Sequence, residues 1–217
     1  MISIAIDGPA GAGKSTIAKE LAKRLGCIYV DTGAMYRAVG LYCLRQNIDY
    51  NEETEVNAAL PHIKLDIEAI KEGQKIYLNG QDVSTAIRTS EVAAAASKVA
   101  TYGEVRKTLV SQQRQMKEEK SLVMDGRDIG TVVMPDATLK IFLTASSEER
   151  AKRRYLEYKQ KGMVVDLQTL IQEIEERDYQ DSHRSISPLK KAEDAKEVDT
   201  TFKTVDEIVT HILHLLA

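Results

Sequence analysis

Apolar and polar positions alternate along the chain in two different periods. Short apolar runs, such as the isoleucine-rich residues 2–6 that end at Asp7, are typical of buried parallel strands. Elsewhere apolar residues recur every three or four positions, as in Lys14–Leu25, and Gly26 then ends this predicted helix. Strands that alternate with helices predict an α/β fold, a parallel sheet core flanked by helices. The further predicted strands are residues 28–31, 122–125, 139–143 and a short one at Val198.

Capping residues mark where further helices begin. One helix is predicted from Thr32 to about Arg45 and another from about Glu104 to Lys117. The other predicted helix starts are Ser90, Asp166 and two capping boxes, Ser146 with Glu149 and Thr204 with Glu207.

One segment, residues of about 62–88, has a different pattern from the rest. Apolar and polar residues alternate strictly from Ile63 to Ile67, as in a strand with one buried face. Further along, Asn79-Gly80 is the pair typical of a two-residue hairpin turn. This segment therefore predicts a small antiparallel β insertion within a helical stretch.

The composition limits the classes of protein to which the chain can belong. Its 217 residues are 43% hydrophobic and 29% charged, which suits a single domain with a packed core. A net charge of −3 disfavours a nucleic-acid-coating protein, and no apolar run reaches the roughly 18 residues of a membrane span. The amino terminus lacks the basic flank of a signal peptide. Because Cys27 and Cys43 form no CxxC pair, we expect reduced thiols in a cytoplasmic protein. We also expect a monomer, since no spare apolar stripe is visible, and no nucleic-acid or membrane partner.

The candidate chemistry begins at a glycine-rich turn between the first predicted strand and helix. Residues 8–15 read GPAGAGKS, a complete P-loop (GxxxxGK[ST]) in the strand–loop–helix context that this motif requires. In such a loop, backbone N–H groups and the helix N-terminus surround phosphate. We expect Lys14 to reach the β- and γ-phosphates of ATP and Ser15 to offer its hydroxyl to Mg²⁺. The expected ATP-binding residues here are Gly8, Pro9, Ala10, Gly11, Ala12, Gly13, Lys14, Ser15 and Thr16.

Other motifs separate the classes of P-loop protein. A switch GTPase would carry Asn-Lys-x-Asp, and the nearest match, NGQD at residues 79–82, lacks the lysine. The short chain and its acidic balance disfavour an ATPase motor or a nucleic-acid remodeller. A small-molecule kinase is therefore favoured, and a nucleotide-dependent switch or binding module with negligible turnover is the alternative from another class.

Arginines follow the carboxyl ends of several predicted strands, where open α/β sheets bind ligands. Arg37 follows the second strand, Arg127 and Asp128 follow the third, and three arginines follow the fourth, at 150, 153 and 154. Further along, Arg177, Asp181 and Arg184 lie three and four apart on one predicted helix. Each of these charges also has a purely structural interpretation: Arg37 could be a surface charge on its helix, and Arg127 could pair with Asp128. The others could belong to surface ion pairs.

These arginines are all expected at the edge of the sheet that carries the P-loop. Their convergence there favours a kinase whose acceptor is itself a phosphate. Fixed arginines offset the repulsion between two polyanions, and guanidinium groups match phosphate oxygens in pairs. An anionic acceptor needs no general base, because its attacking oxygen is already deprotonated.

These residues together resemble one family over essentially the whole length of the chain. The chain is similar to the bacterial cytidylate kinases of the nucleoside monophosphate kinase group, which are P-loop kinases. Besides the P-loop, the matching segments are DTGAMYR at 31–37, IRTSEV at 87–92, DGRDIGTVV at 125–133, SSEERA at 146–151 and ERD at 176–178.

The resemblance implies an activity in pyrimidine nucleotide metabolism, the transfer of the ATP γ-phosphate to CMP or dCMP, giving CDP or dCDP and ADP with Mg²⁺. It also implies one P-loop kinase domain over residues 1–217. Within that domain it implies a monophosphate-binding part at about 32–110, which includes the β insertion, and a short helical lid at about 150–165. A kinase for another monophosphate, such as UMP or AMP, is the nearest enzymatic alternative.

The resemblance also implies which residues do the work. Ser97, Arg106 and Asp128 would face the cytosine, Asp181 with Arg177 would hold the sugar, and Arg37, Arg127 and Arg184 would face the phosphate. The expected CMP-binding residues are Thr32, Arg37, Ser97, Arg106, Arg127, Asp128, Arg177, Asp181 and Arg184, and Arg153 is expected to bind ATP. The expected catalytic residues are Lys14, Arg127, Arg153 and Arg184.

Cytosine fits a carboxylate such as Asp128 for a chemical reason. Its N4 amino group donates a hydrogen bond where uracil presents an O4 acceptor. A carboxylate therefore accepts from cytosine and repels uracil, and a mispaired buried charge is costly.

Overall fold

The computed structural model describes residues 1–70, 73–160 and 162–216. The strands are β1 (Ser3–Asp7), β2 (Ile28–Asp31), β3 (Leu65–Ile70), β4 (Gly73–Leu78), β5 (Gln81–Asp82), β6 (Leu122–Gly126), β7 (Leu139–Thr144) and β8 (Lys196–Asp199). The α-helices are α1 (Lys14–Leu25), α2 (Thr32–Arg45), α3 (Glu53–Ala59), α4 (Ser90–Val99), α5 (Gly103–Glu119), α6 (Ser147–Gln160), α7 (Leu167–His183) and α8 (Val205–Leu216).

Over these residues, five parallel strands form the main sheet in the order β2-β6-β1-β7-β8. Side chains that alternate along β1 enter two different cores, because successive residues of a strand point to opposite faces. Ile4 and Ile6 pack with α1 and α8, whereas Ala5 packs with Val110 of α5 and Met124 of β6. Helices therefore cover both faces, which confirms the α/β fold. No helix in the described ranges has the length and apolar character needed to cross a membrane.

A second sheet confirms the antiparallel insertion. Its strands are arranged in the order β3-β4-β5, and β4 and β5 are joined by Asn79 and Gly80 with φ of 51° and 81°. Both values are left-handed, as a tight hairpin turn requires. Ile76 and Leu78 of β4 are buried in a third core that they share with α2, α4 and α5. The insertion is thus packed onto the helices that follow β2.

Three helix ends differ from the predictions in detail. The cap of α4 is Thr89 rather than Ser90, because the Thr89 hydroxyl accepts the Val92 N–H at 3.2 Å. The helix α7 ends at His183, so Arg184 is its C-cap residue and lies outside the helix. At α6, the Glu149 N–H donates to Ser146 Oγ at 3.2 Å, while the Glu149 carboxylate pairs with Arg153 at 3.5 Å. The reciprocal half of that predicted capping box is therefore replaced by an ion pair, whereas Thr204 and Glu207 form a complete box.

Candidate active site

The P-loop lies between β1 and α1, where the sheet places the carboxyl end of its central strand. Gly13, the N-cap of α1, has φ of 85°, which directs the chain into the helix through a left-handed residue. Gly8 approaches β7 so closely that a Cβ there would lie 2.2 Å from the carbonyl oxygen of Leu143. The Lys14 ammonium is buried and donates to the Pro9 carbonyl at 2.7 Å. The contact between Lys14 and Pro9 therefore bridges the loop and holds the lysine at the N-terminus of the helix, where anions bind.

The pKa of Lys14 reflects its burial and charges of both signs, since Asp125, Asp181 and Asp7 raise it while other effects lower it. Burial lowers the pKa of its ammonium, and the neighbouring Arg127 lowers the pKa further. A bound polyphosphate would offset both effects, because it supplies negative charge where the protein supplies little water. The position of Lys14 thus suits it to a phosphate ligand.

Asp125, at the end of β6, connects the P-loop to the neighbouring strand. Its Oδ2 accepts from the Ser15 hydroxyl at 3.0 Å, and its Oδ1 accepts from the Tyr29 hydroxyl at 2.9 Å. Its backbone carbonyl accepts from the Thr32 hydroxyl at 2.8 Å. Burial, followed by the nearby Asp31, raises the pKa of the Asp125 carboxyl. This acid was not among the predicted site residues, although a carboxylate ending the buried strand beside the P-loop was a visible signal.

A group of buried arginines and acids lies across the cavity from the P-loop. Arg127 Nε donates to Asp181 Oδ2 at 2.8 Å, and Arg106 Nη2 donates to Asp128 Oδ2. Arg184 Nη2 lies 3.7 Å from Asp128 Oδ1. The interpretation of Arg127 and Asp128 as a mutual ion pair is therefore wrong, because each binds a residue from a helix instead.

Several buried guanidinium nitrogens around this cavity make no hydrogen bond among the described residues. Among the described residues, the buried nitrogens without a hydrogen bond include Nε of Arg37, Arg106 and Arg177 and Nη2 of Arg184. Burial lowers the pKa of Arg177 and of Arg184, with neighbouring arginines as the next cause for each. Buried donors without acceptors are costly, so an anionic ligand would stabilise this arrangement.

A π-helical turn, Ile129–Val133, follows Asp128 and was not predicted. The Asp7 carboxylate holds its start, because Asp7 Oδ1 accepts the Ile129 N–H at 2.8 Å and Oδ2 accepts the Gly130 N–H at 2.7 Å. Burial raises the pKa of Asp7 to about 6, against the lowering effect of these two hydrogen bonds. Asp7 was predicted only as a strand end, and it positions the backbone beside Asp128.

Most of the predicted site residues surround one cavity of about 610 Å³. The predicted residues that line it are Ala10, Gly11, Gly13, Lys14, Ser15, Thr16, Thr32, Arg37, Ser97, Arg106, Arg127, Asp128, Arg153, Arg177, Asp181 and Arg184. Gly8 and Pro9 do not line it, and they form the base of the loop instead. Lining residues that were not predicted include Asp31, Tyr36, Arg88 and Asp125.

A smaller cavity of about 240 Å³ adjoins the other side of the P-loop. Ala12 lines this cavity together with Arg153 and Thr200. Arg153 Nη2 donates to the Thr200 carbonyl at 2.8 Å, and the Thr200 hydroxyl donates to the Ala12 carbonyl at 3.2 Å. Arg153, in the middle of α6, thus lines both cavities. Its neighbour Arg150 is buried and binds Asp178 at 2.6 Å and the Ala10 carbonyl at 3.0 Å, so it joins α6 to α7 and the P-loop.

Comparison with known proteins decides the family. The cytidylate kinase family model matches residues 4–217. The chain belongs to the cytidylate kinase family. It is 50% identical over 216 residues to a cytidylate kinase of Lactobacillus johnsonii, covering 100% of this chain and 94% of that protein. It is 50% identical over 212 residues to one of Bacillus subtilis, covering 98% and 95%.

Solved structures support the fold at a greater distance. This cytidylate kinase family member aligns with an uncharacterized protein from Eubacterium ventriosum at a TM-score of 0.52 and 14% identity, over 100% of this chain and 98% of that one. A gluconokinase from Sinorhizobium meliloti aligns at 0.50 and 14% identity, over 99% and 91%. As a member of the cytidylate kinase family, the chain is an ATP-dependent nucleoside monophosphate kinase.

Proposed function

We propose that the chain transfers the γ-phosphoryl group of ATP to CMP or dCMP, giving CDP or dCDP and ADP. The observation that carries this proposal is a set of arginines that line the same cavity as the P-loop, each with a buried guanidinium nitrogen that makes no hydrogen bond among the described residues. Such an arrangement suits two anionic substrates that must approach each other. The full-length similarity to cytidylate kinases supports cytidine as the acceptor nucleoside.

ATP would bind on the P-loop side. The loop N–H groups and Lys14 would hold the phosphates, and Arg153 would reach them from the middle of α6. The smaller cavity beside Ala12 would receive another part of the donor nucleotide. Lys14 acts here as a fixed charge on the transferring group, since its burial removes competing water.

The chain's residues fit Mg²⁺ at Ser15 and Asp125. Both offer oxygen atoms, which are the ligands that Mg²⁺ prefers, and burial, with the nearby Asp31, raises the pKa of Asp125, so a cation bound there would stabilise its charged form. No group of three acid, histidine or cysteine side chains in the described part of the chain could hold a metal alone, and Mg²⁺ commonly binds with substrate phosphates and water. When bound, Mg²⁺ neutralises charge on the phosphate oxygens. Ser15 would hold it directly and Asp125 would orient the Ser15 hydroxyl.

CMP would bind against the arginines. We assign the cytosine to Ser97, Arg106 and Asp128, and the sugar to Asp181 with Arg177. The contact of Arg184 with Asp128 favours placing Arg184 near the base, rather than at the phosphate alone as the resemblance implied. The phosphate is assigned to Arg37 and Arg127, with Thr32 beside them.

The chemistry would then depend on positioning. The CMP phosphate attacks as an anion, so no side chain has to remove a proton. Arg127, already fixed by Asp181, would neutralise the acceptor, and Lys14 and Arg153 would neutralise the donor. We propose that residues of about 150–165 form a lid that excludes water over the ATP phosphates, and that residues of about 32–110 form the monophosphate-binding part.

A panel of nucleoside monophosphates tests this function. Purified protein with ATP and Mg²⁺ is offered CMP, dCMP, UMP and AMP, and ADP formation is measured for each. We expect turnover with CMP and dCMP to exceed turnover with UMP and AMP. A preference for UMP or AMP would show that the acceptor is that monophosphate and not CMP. ADP formation that does not depend on any monophosphate would contradict the kinase assignment.

We also propose that the enzyme acts as a cytoplasmic monomer on small molecules alone. Free thiols at Cys27 and Cys43 support a reducing compartment. Light scattering at micromolar concentration tests the oligomeric state.

A further inference from the structure

Asp31, at the end of β2, lines the cavity, and three groups contact its carboxylate. Its Oδ1 accepts the Ala34 N–H at 2.9 Å, which caps α2, and its Oδ2 accepts from Arg37 Nη2 at 2.6 Å. Arg88 Nη2 lies 3.8 Å from the same Oδ2. The Asp31 carboxylate therefore orients the Arg37 guanidinium. The carboxylate in turn is positioned by the backbone of Asp31.

The backbone of Asp31 is held by the antiparallel insertion. Gln74 Oε1 accepts the Asp31 N–H at 2.8 Å, and Gln74 Nε2 donates to the Asp31 carbonyl at 3.2 Å. In the described part of the main sheet β2 is an outer strand, so this N–H and carbonyl face away from β6. One side-chain amide thus makes the two hydrogen bonds that a further strand would make.

The geometry points to Gln74 as a positioning residue for the acceptor phosphate. Gln74 belongs to β4 of the insertion and does not line the cavity. We propose that it acts through Asp31, by fixing the last residue of β2 and with it the Arg37 guanidinium. The insertion then has a task in the reaction, which is to hold one phosphate-binding arginine in place before the monophosphate arrives. This inference rests on the proposed function, which places the monophosphate at Arg37.

Fixing Arg37 in advance would favour phosphate binding, because one nitrogen of its guanidinium is already held and another makes no hydrogen bond among the described residues. Its Nη2 is held by Asp31, while its Nε is buried without a hydrogen bond in the described structure. A guanidinium that is already oriented loses less conformational entropy when it binds phosphate. If Asp31 were held less firmly, the Arg37 guanidinium would lose more conformational entropy on binding CMP, and CMP would bind more weakly.

The test compares Gln74→Met, which keeps the volume and removes the amide, with wild type. Titration calorimetry measures the Kd of CMP and of ATP separately. We expect the Kd of CMP to rise about threefold to tenfold, the effect of one or two net hydrogen bonds, and the Kd of ATP to stay unchanged. Gln74→Asn, whose shorter amide cannot span both backbone groups, is a second variant with the same expectation if Gln74→Met does not fold.

Two controls separate positioning from general damage. Tyr77→Phe removes a hydrogen bond of the same strand, from the Tyr77 hydroxyl to Glu68 at 2.6 Å, without touching Asp31, and should leave both Kd values unchanged. In an Arg37→Met background, Gln74→Met should no longer weaken CMP binding. A Kd of CMP unchanged by both Gln74 variants, an equal loss for ATP, or an undiminished effect in the Arg37→Met background would overturn the inference.

The wild-type protein distinguishes this inference from the proposed function. If wild type prefers another monophosphate, the proposed substrate is wrong, and the same variants are compared with that monophosphate, since its phosphate is the group that Arg37 would bind. If wild type binds no monophosphate, both proposals fail. If wild type acts on CMP but the Gln74 variants match it, only the inference fails.

Discussion

The hydroxyl of Ser15 and the carboxylate of Asp125 are joined by a 3.0 Å hydrogen bond between residues 110 positions apart in the chain. The bond ties the first turn of α1 to the end of β6. It combines the one P-loop hydroxyl that suits a metal ion with a buried acid whose pKa is raised. The P-loop side of the cavity is therefore completed by the neighbouring strand.

Replacing Asp125 should increase the Mg²⁺ concentration that the enzyme requires. We expect Asp125→Asn to raise the Mg²⁺ concentration needed for half-maximal activity about 10- to 100-fold, because orienting partners of metal ligands have effects of this size. Activity is measured against Mg²⁺ concentration. Tyr29→Phe, which removes the other side-chain bond to Asp125 but keeps its charge, is the matched control. An unaltered Mg²⁺ dependence in Asp125→Asn would remove Asp125 from this role.

Replacing Asp128 should narrow the preference for cytosine. An amide at this position can donate to the O4 of uracil as well as accept from cytosine. We therefore expect Asp128→Asn to reduce the CMP-over-UMP ratio of kcat/KM by a factor of about 5 to 150, which corresponds to about 1–3 kcal/mol. Asp194→Asn, an exposed acid that binds Lys140, is the control. If the ratio in Asp128→Asn equals that of wild type, Asp128 does not read the base.

Replacing Arg153 tests its catalytic role. If Arg153 stabilises the transferring phosphoryl group, Arg153→Ala should lower kcat at least about tenfold, as loss of a charge-stabilising donor does. Steady-state kinetics at saturating CMP separates kcat from the KM for ATP. Arg24→Ala, which removes a surface arginine bound to Glu20 and Asp206, is the control. A raised KM for ATP with kcat intact would contradict a transition-state role.

Asp7 should make stability depend on pH. Its pKa is raised from 3.8 to about 6 in the folded state, so the folded protein binds this proton more tightly than the unfolded chain does. The contribution of Asp7 to the free energy of unfolding therefore decreases as pH rises from about 4 through about 6. Between about pH 5 and pH 7.5 the expected decrease is about 1.4 kcal/mol.

The comparison with Asp7→Asn isolates this effect. Urea unfolding at the two pH values gives the free energy of unfolding of wild type and of the variant. The difference between the two proteins at each pH removes the contributions of the other titrating groups. We expect wild type to lose stability relative to the variant as the pH rises. A difference that does not change with pH would show that the Asp7 carboxyl titrates at its ordinary value.

Much of the fold could be predicted because it depends on local patterns. The helix Lys14–Leu25 and the strand Ile28–Asp31 were predicted with their observed bounds, since hydrophobic periodicity and a terminal glycine are properties of short segments. The Asn79-Gly80 turn followed from the backbone preferences of two residues. The π-helical turn after Asp128 could not be predicted in this way, because Asp7, more than 100 positions earlier, holds its first N–H groups.

The sequence by itself determined the P-loop, the alternation of strands and helices, and the set of charged residues expected near one edge of the sheet. Only the tertiary structure decided which charge meets which: Arg127 with Asp181, Arg106 with Asp128, and Arg37 with an Asp31 that Gln74 holds. Secondary structure follows from the spacing of neighbouring residues, whereas the direction of a long guanidinium side chain depends on the elements packed around it. Pairing in the site is therefore a property of the assembled sheet and helices.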